Sequence, residues 1–223
     1  MLQAGRPDTA GRDALADLCV SYWQPVYAYY RRSGADADRA ADLTQGLFAD
    51  LIERGDLPKA DAARGPFRAF LLACARNWLA NQHAHDAAQK RGGGRIVLSL
   101  DGFDEEERRR HEPVAAAGPE QAFERRWAEG VIARALARLE RDEAAAGRGA
   151  LFGQLRSVLD GSPPPRPWLQ LAAELDSTEG ALRVAAHRLK ARFRECLCAE
   201  VRETLPEAAS ARDELAELLR ALA

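Results

Sequence analysis

From Asp13 to Arg32 the apolar residues Leu15, Leu18, Tyr22, Trp23, Val26, Tyr27 and Tyr30 recur at intervals of three and four. That period places them on one wide stripe of a helix that faces a core. The stretch SGADAD, Ser33 to Asp38, breaks the stripe and supplies acids suited to opening a second helix, where the helix dipole favours negative charge. That helix runs to about Arg54, with Leu43, Leu47, Phe48, Leu51 and Ile52 predicted to face inward. After the turn-rich RGDLPKADAARGP, a third helix spans Phe67 to about Lys90 and buries Phe67, Phe70, Leu71, Cys74, Trp78 and Leu79.

The pattern then lapses. Gly92 to about Pro119 holds a run of three glycines, a charge run and two prolines, which reads as a flexible linker with RIVLSL extended inside it. Helical spacing resumes from Glu120 to Ala145 through Phe123, Trp127, Val131, Ile132, Leu136 and Leu139. A shorter helix covers Ala150 to Leu159, DGSPPPRP punctuates, and two helices joined by a sharp turn follow within Trp168 to Leu197. A last amphipathic segment spans Ala211 to Leu222. No strand pair and no internal repeat emerges. The predicted fold class is therefore all-α: helical domains at 1–91 and 120–204, a linker at 92–119, and a tail helix within 205–223.

Composition agrees with helix. Hydrophobic residues make up 47% but aromatics only 7%, so alanine and leucine carry the apolar share. The 32 basic and 34 acidic side chains nearly cancel, which argues against a protein coated in positive charge and confines any nucleic-acid site to a local face. Cys19, Cys74, Cys196 and Cys198 read as buried free thiols of a reducing compartment. With no apolar leader and no long apolar run, a soluble, cytoplasmic protein is expected, with no membrane partner.

One such face is LAAELDSTEGALRVAAHRLKARF, Leu171 to Phe193. In its second helix, Leu182, Ala185, Leu189, Phe193 and Cys196 or Leu197 share one side, and Glu179, Arg183, His187, Lys190 and Arg194 the other. Between Thr178 and Leu197 stand five Lys or Arg (Arg183, Arg188, Lys190, Arg192, Arg194) against two acids (Glu179, Glu195). An apolar inner face under a basic outer one suits docking in a DNA major groove, and Ser177 and Thr178 with the first N–H groups of the helix suit a phosphate. A solvated surface helix has the same pattern, so the motif alone leaves both readings open. Asp176 stands where such turns often carry glycine, and aspartate tolerates the left-handed conformation.

The stretch WLQLAAELDSTEGALRVAAHRLKARFRECL, Trp168 to Leu197, resembles region 4 of the extracytoplasmic-function sigma factors, within the sigma-70 family. Upstream, YWQPVYAYYRR, ADRAADLTQGLFADLIER and FRAFLLACARNWLANQHAHDAAQKR are similar to the three helices of region 2 in that family. The resemblance covers roughly Asp13 to Glu203, and it implies a factor that binds core RNA polymerase and directs it to promoters. It makes 1–91 the region 2-like domain and 120–204 the region 4-like one, with the helix–turn–helix at 168–197.

By resemblance, Asp42, Leu43, Gln45 and Phe48 would dock on the β′ clamp helices. The loop from Leu57 to Pro66 would receive a flipped base of the minus-ten element, and Arg68, Arg76, Asn77, Asn81, Lys90 and Arg91 would contact the DNA around it. Region 4 would read the minus-thirty-five element through Ser177, Thr178, Glu179, Arg183, His187 and Lys190. The implied partners are core RNA polymerase, through its β′ clamp helices and β flap, and promoter DNA; the resemblance also allows an anti-sigma factor. Gly46 departs from the family, which usually carries glutamate there, and glycine costs a helix about 1 kcal/mol.

Other motifs carry less. His83 and His85 lie two apart on a helix and point in different directions, and Cys196 and Cys198 are too close for a zinc or redox pair. KRGGGR lacks the lysine and serine or threonine of a phosphate-binding loop. No metal, no cofactor and no enzymatic activity are expected. Two alternatives stay open: a helix–turn–helix regulator that binds DNA without polymerase, and a helical interaction protein.

Overall fold

The computed structural model describes residues 9–54, 66–89, 118–204 and 211–222, and every regular element among them is helical. These are α1 (Thr9–Arg32), α2 (Ala37–Arg54), α3 (Phe67–Gln89), α4 (Pro119–Ala145), α5 (Gly149–Leu155), a 3₁₀ turn (Arg156–Asp160), α6 (Trp168–Glu174), α7 (Glu179–Glu203) and α8 (Ala211–Leu222). The fold is all-α.

The chain divides into two compact units, Met1–Glu129 with Thr204–Ala209 and Glu217–Ala223, and Gly130–Glu203 with Ser210–Ala216. The boundary falls within α4, so its first turns count with the first unit. The expected linker, apart from Gly118 and Pro119, lies outside the described residues, as does RIVLSL.

In the first unit α1, α2 and α3 bury one core. Tyr22, Val26, Tyr27 and Tyr30 from α1 are buried, as are Ala40, Leu43, Leu47, Phe48 and Leu51 from α2 and Leu71 and Ala75 from α3. Aromatic pairs hold the layers: Tyr22 packs edge-on against Phe67 at 5.2 Å, and Trp23 stacks on Phe48 at 6.1 Å. The hydroxyl of Tyr30 donates to the Ala75 carbonyl at 3.2 Å, satisfying a polar tip in an apolar site. Between α1 and α2, Gly34 takes the left-handed backbone at φ 97° and Asp36 caps α2 by accepting the Arg39 N–H at 2.8 Å. That is the acid-led start the sequence predicts. Ile52, expected inside, is 49% exposed, because Leu51 holds the inward position of that turn.

The first turns of α4 belong here for a physical reason. Ala122, Phe123, Trp127 and Ala128 are buried. Glu124 pairs with Arg68 of α3 at 2.5 Å, and the Arg68 guanidinium lies 4.7 Å from the Trp127 ring centre. A second α3–α4 pair, Arg76 with Glu120 at 3.4 Å, lies at the surface.

The second unit is built on Ala135, Leu139, Phe152, Leu155, Val158, Leu171, Ala172, Leu182, Ala186, Leu189 and Cys196. Its most constrained polar group is Glu143, 2% exposed on α4. That carboxylate accepts hydrogen bonds from Arg148 at 2.7 and 3.2 Å and from Arg192 of α7 at 3.2 Å. Further along, Glu200 of α7 pairs with Arg134 at 3.1 Å and Arg138 at 3.6 Å. These two clasps fix α7 on α4. The four cysteines are free, but only Cys196 is buried; Cys19, Cys74 and Cys198 are half-buried. In α8, Glu214 and Leu218 are buried one turn apart, the inner stripe of the amphipathic tail.

Candidate nucleic-acid interface

α6 and α7 meet at a turn whose backbone is fully specified. The Leu175 N–H donates to Leu171 O at 3.1 Å and the Ser177 N–H to Ala172 O at 2.9 Å, which closes α6 in a Schellman arrangement. Such a closure needs one left-handed residue, and Asp176 supplies it at φ 46°, alone among the described non-glycine residues. Thr178 then caps α7, its Oγ1 accepting the Ala181 N–H at 3.1 Å.

With α7 so started, Leu182, Ala186, Leu189 and Cys196 turn into the core, while Ala185, Phe193 and Leu197 pack beside them. Burial raises the Cys196 thiol pKa above its usual range, so the thiol stays protonated and inert. Arg183, Val184, His187, Arg188, Lys190 and Arg194 are exposed on the other side. Of these, His187, Arg188, Lys190 and Arg194 have no hydrogen-bond or ion-pair partner among the described residues. Arg192, one of the five basic residues of this stretch, is taken by Glu143; its Nε stands 2.6 Å from Oε1. Arg183 is exposed yet held: its Nε and Nη2 both donate to Glu179 Oε1, at 2.9 and 2.6 Å, and its guanidinium lies 5.2 Å from the Trp168 ring centre. Ser177 and Thr178 are exposed at the mouth of the helix.

No family model, curated protein or solved structure matches this chain. Its chemistry therefore rests on its own residues. Uncompensated cations on one face of a helix that follows a tight turn attract a polyanion, and a single helix is an element that a DNA major groove can admit. Among the described residues no group of three histidine, cysteine or acidic side chains is placed to hold a metal. Nor is any helix among them long and apolar enough to cross a membrane.

In the first unit the sequence-derived candidates separate. Leu43 and Phe48, expected to dock on a partner, are each 4% exposed and belong to the core. Both lie on the inward stripe of α2 with Ala40, Leu47 and Leu51. Asp42 is exposed and Gln45 half-exposed. The outward stripe runs Asp38, Asp42, Gln45, Ala49, Ile52, at steps of four and three, so Ala49 and the exposed Ile52 are surface residues that sequence reasoning missed. A strict period over five positions was the signal available.

On α3, Arg68 was expected to touch DNA. With 11% of its side chain exposed, it is instead spent on Glu124 and Trp127. Arg76, Asn77 and Asn81 are exposed, and Arg76 is shared with Glu120. Lys90, Arg91 and all of the loop from Leu57 to Pro66 except Pro66 lie outside the described residues. Gly46 has a packing role: a Cβ there would stand 2.9 Å from Trp78 Cζ2.

Proposed function

We propose that this chain is a transcription initiation factor of the sigma-70 type, which binds core RNA polymerase, engages the minus-ten element with its first unit and reads the minus-thirty-five element with α6 and α7. The observation that carries the reading is the outer face of α7. There His187, Arg188, Lys190 and Arg194 stand exposed without a partner among the described residues, next to a capped turn. Most other arginines described are paired with acids, so the uncompensated charge of a chain with net charge −2 is concentrated where a duplex would lie. The family resemblance, spanning both units in order, supplies the polymerase.

Run-off transcription with purified core polymerase tests it. A transcript that depends on this chain, together with its retention on core polymerase, is the expected result. No transcript from any selected promoter and no retention would sink the reading.

One observation favours a second reading, a helix–turn–helix regulator without polymerase. Leu43 and Phe48 are buried, which leaves docking to Asp42, Gln45, Ala49 and Ile52. A single exposed isoleucine flanked by polar side chains is a sparse apolar anchor for a stable interface. Sequence-specific DNA binding without retention on core polymerase is the outcome that selects this reading.

A further inference from the structure

We infer that Arg183 reads a guanine, and that Trp168 and Glu179 are the positioning residues that aim it. The inference rests on the DNA-binding reading above and deepens it. An exposed arginine ordinarily samples many rotamers, and a contact must first overcome that freedom. Here two constraints act on one guanidinium. Glu179 Oε1 accepts from both Nε and Nη2, which fixes the side chain in its own plane. The Trp168 ring, 5.2 Å away, covers one face of that plane. Trp168 is itself half-buried against the core of the second unit, so the platform is anchored.

A guanidinium has two edges with paired donors. Glu179 occupies the edge formed by Nε and Nη2, and the edge formed by Nη1 and Nη2 is left, with two parallel N–H groups. Such an edge fits two acceptors side by side. In the major groove the O6 and N7 of guanine offer that pair on a single base, whereas adenine and thymine offer one acceptor each and cytosine a donor. Arg183 is the fifth residue of α7, in the N-terminal part that recognition helices insert, and its side chain is 59% exposed. The unclamped Arg188, Lys190 and Arg194 suit phosphates, for which a mobile charge suffices.

The full chain is used to select duplexes from a randomised library, and the selected duplex is then titrated. One guanine should emerge whose replacement by 7-deazaguanine, which lacks the N7 acceptor, weakens binding about tenfold. In the Arg183→Ala chain the same replacement should have no further effect. Trp168→Leu and Glu179→Ala should each reduce preference for that guanine about threefold and leave preferences at other positions in place. Trp168→Phe, which keeps an aromatic face, should restore most of it. Because Trp168 also packs on the core, thermal melting is followed for each variant, and Glu179→Ala repeats the test from the surface. Selected sites at which every guanine tolerates the deaza replacement would overturn the inference while DNA binding stands. So would an Arg183→Ala chain that loses only salt dependence, since the arginine would then hold a phosphate. Full guanine preference in Glu179→Ala removes the clamp. Enrichment of no duplex at all removes the inference and the DNA-binding reading together.

Discussion

A methyl group at position 46 would lie 2.9 Å from Trp78 Cζ2, closer than real side-chain carbons pack, so α2 and α3 approach each other through the missing Cβ. The neighbour of Gly46 is thus an indole ring of the same unit. Two effects oppose in Gly46→Ala: helix propensity gains about 1 kcal/mol, and overpacking costs about 1–3 kcal/mol. Overpacking is expected to win by about 1 kcal/mol, lowering the melting temperature. Gly46→Ala with Trp78→Leu should recover it, and a higher melting temperature for Gly46→Ala alone would show that the ring swings aside. Glu143 invites a pH test. Hydrogen bonds from Arg148, reinforced by the charges of Arg148 and Arg192, hold its carboxyl below the usual range despite burial. The unfolded chain therefore takes up its proton first on acidification. Its stabilisation is complete above the ordinary carboxylate value of about 4.3 and is lost as pH falls through that value and then the depressed one. Glu143→Gln should cost about 2 kcal/mol at pH 7 and flatten the acid limb of a melting-temperature profile; parallel profiles for the two chains would refute the assignment.

At the scale of elements, the turn between α6 and α7 decides whether the basic face is presented at all. Asp176 at φ 46° and the Thr178 cap act on adjacent backbone, the first closing α6 and the second opening α7. Thr178→Ala should cost about 1 kcal/mol in chemical denaturation. Asp176→Val, forced into a conformation closed to β-branched residues, should cost about 2 kcal/mol, while Asp176→Gly should change stability by no more than ~0.5 kcal/mol. If valine is tolerated as well as glycine, the turn is not held left-handed in solution. Helix α2 carries a different lesson. Its two stripes are interleaved in sequence, and residues three or four apart share a face, so DLTQGLF contains members of both. A motif match spans the stripes; a contact surface uses one of them.

Across the whole molecule, net charge says little and its distribution says much. Arg68, Arg134, Arg138, Arg148 and Arg192 are committed to acids within their own unit, and among the described residues α7 presents a group of exposed cations without an acid partner, Arg188, Lys190 and Arg194. DNA binding should therefore weaken with salt at a logarithmic slope no steeper than about −4 for a duplex that spans this face alone. Arg183→Ala with Lys190→Ala should make it shallower by about 1 unit, through Lys190, and lower affinity by about tenfold or more. Unchanged affinity in that double variant would refute the recognition face.

Hydrophobic periodicity alone located the helices to within a few residues, because a buried stripe at a spacing of three and four has no other regular solution in an alanine- and leucine-rich chain. It also separated the inner and outer faces of α7, while the place of Asp176 in the turn, where glycine is common, pointed to the left-handed conformation it adopts. What it left open was which charged side chains stay available. Arg68 and Arg194 look alike as letters in basic runs, yet one is sealed between Glu124 and Trp127 and the other faces solvent. The partners of Arg68, Arg192 and Gly46 lie between 32 and 59 positions away along the chain, beyond any local period. Packing of distant helices brings such groups within a few ångströms, and that proximity determines which charges are neutralised inside the protein and which are left for a partner.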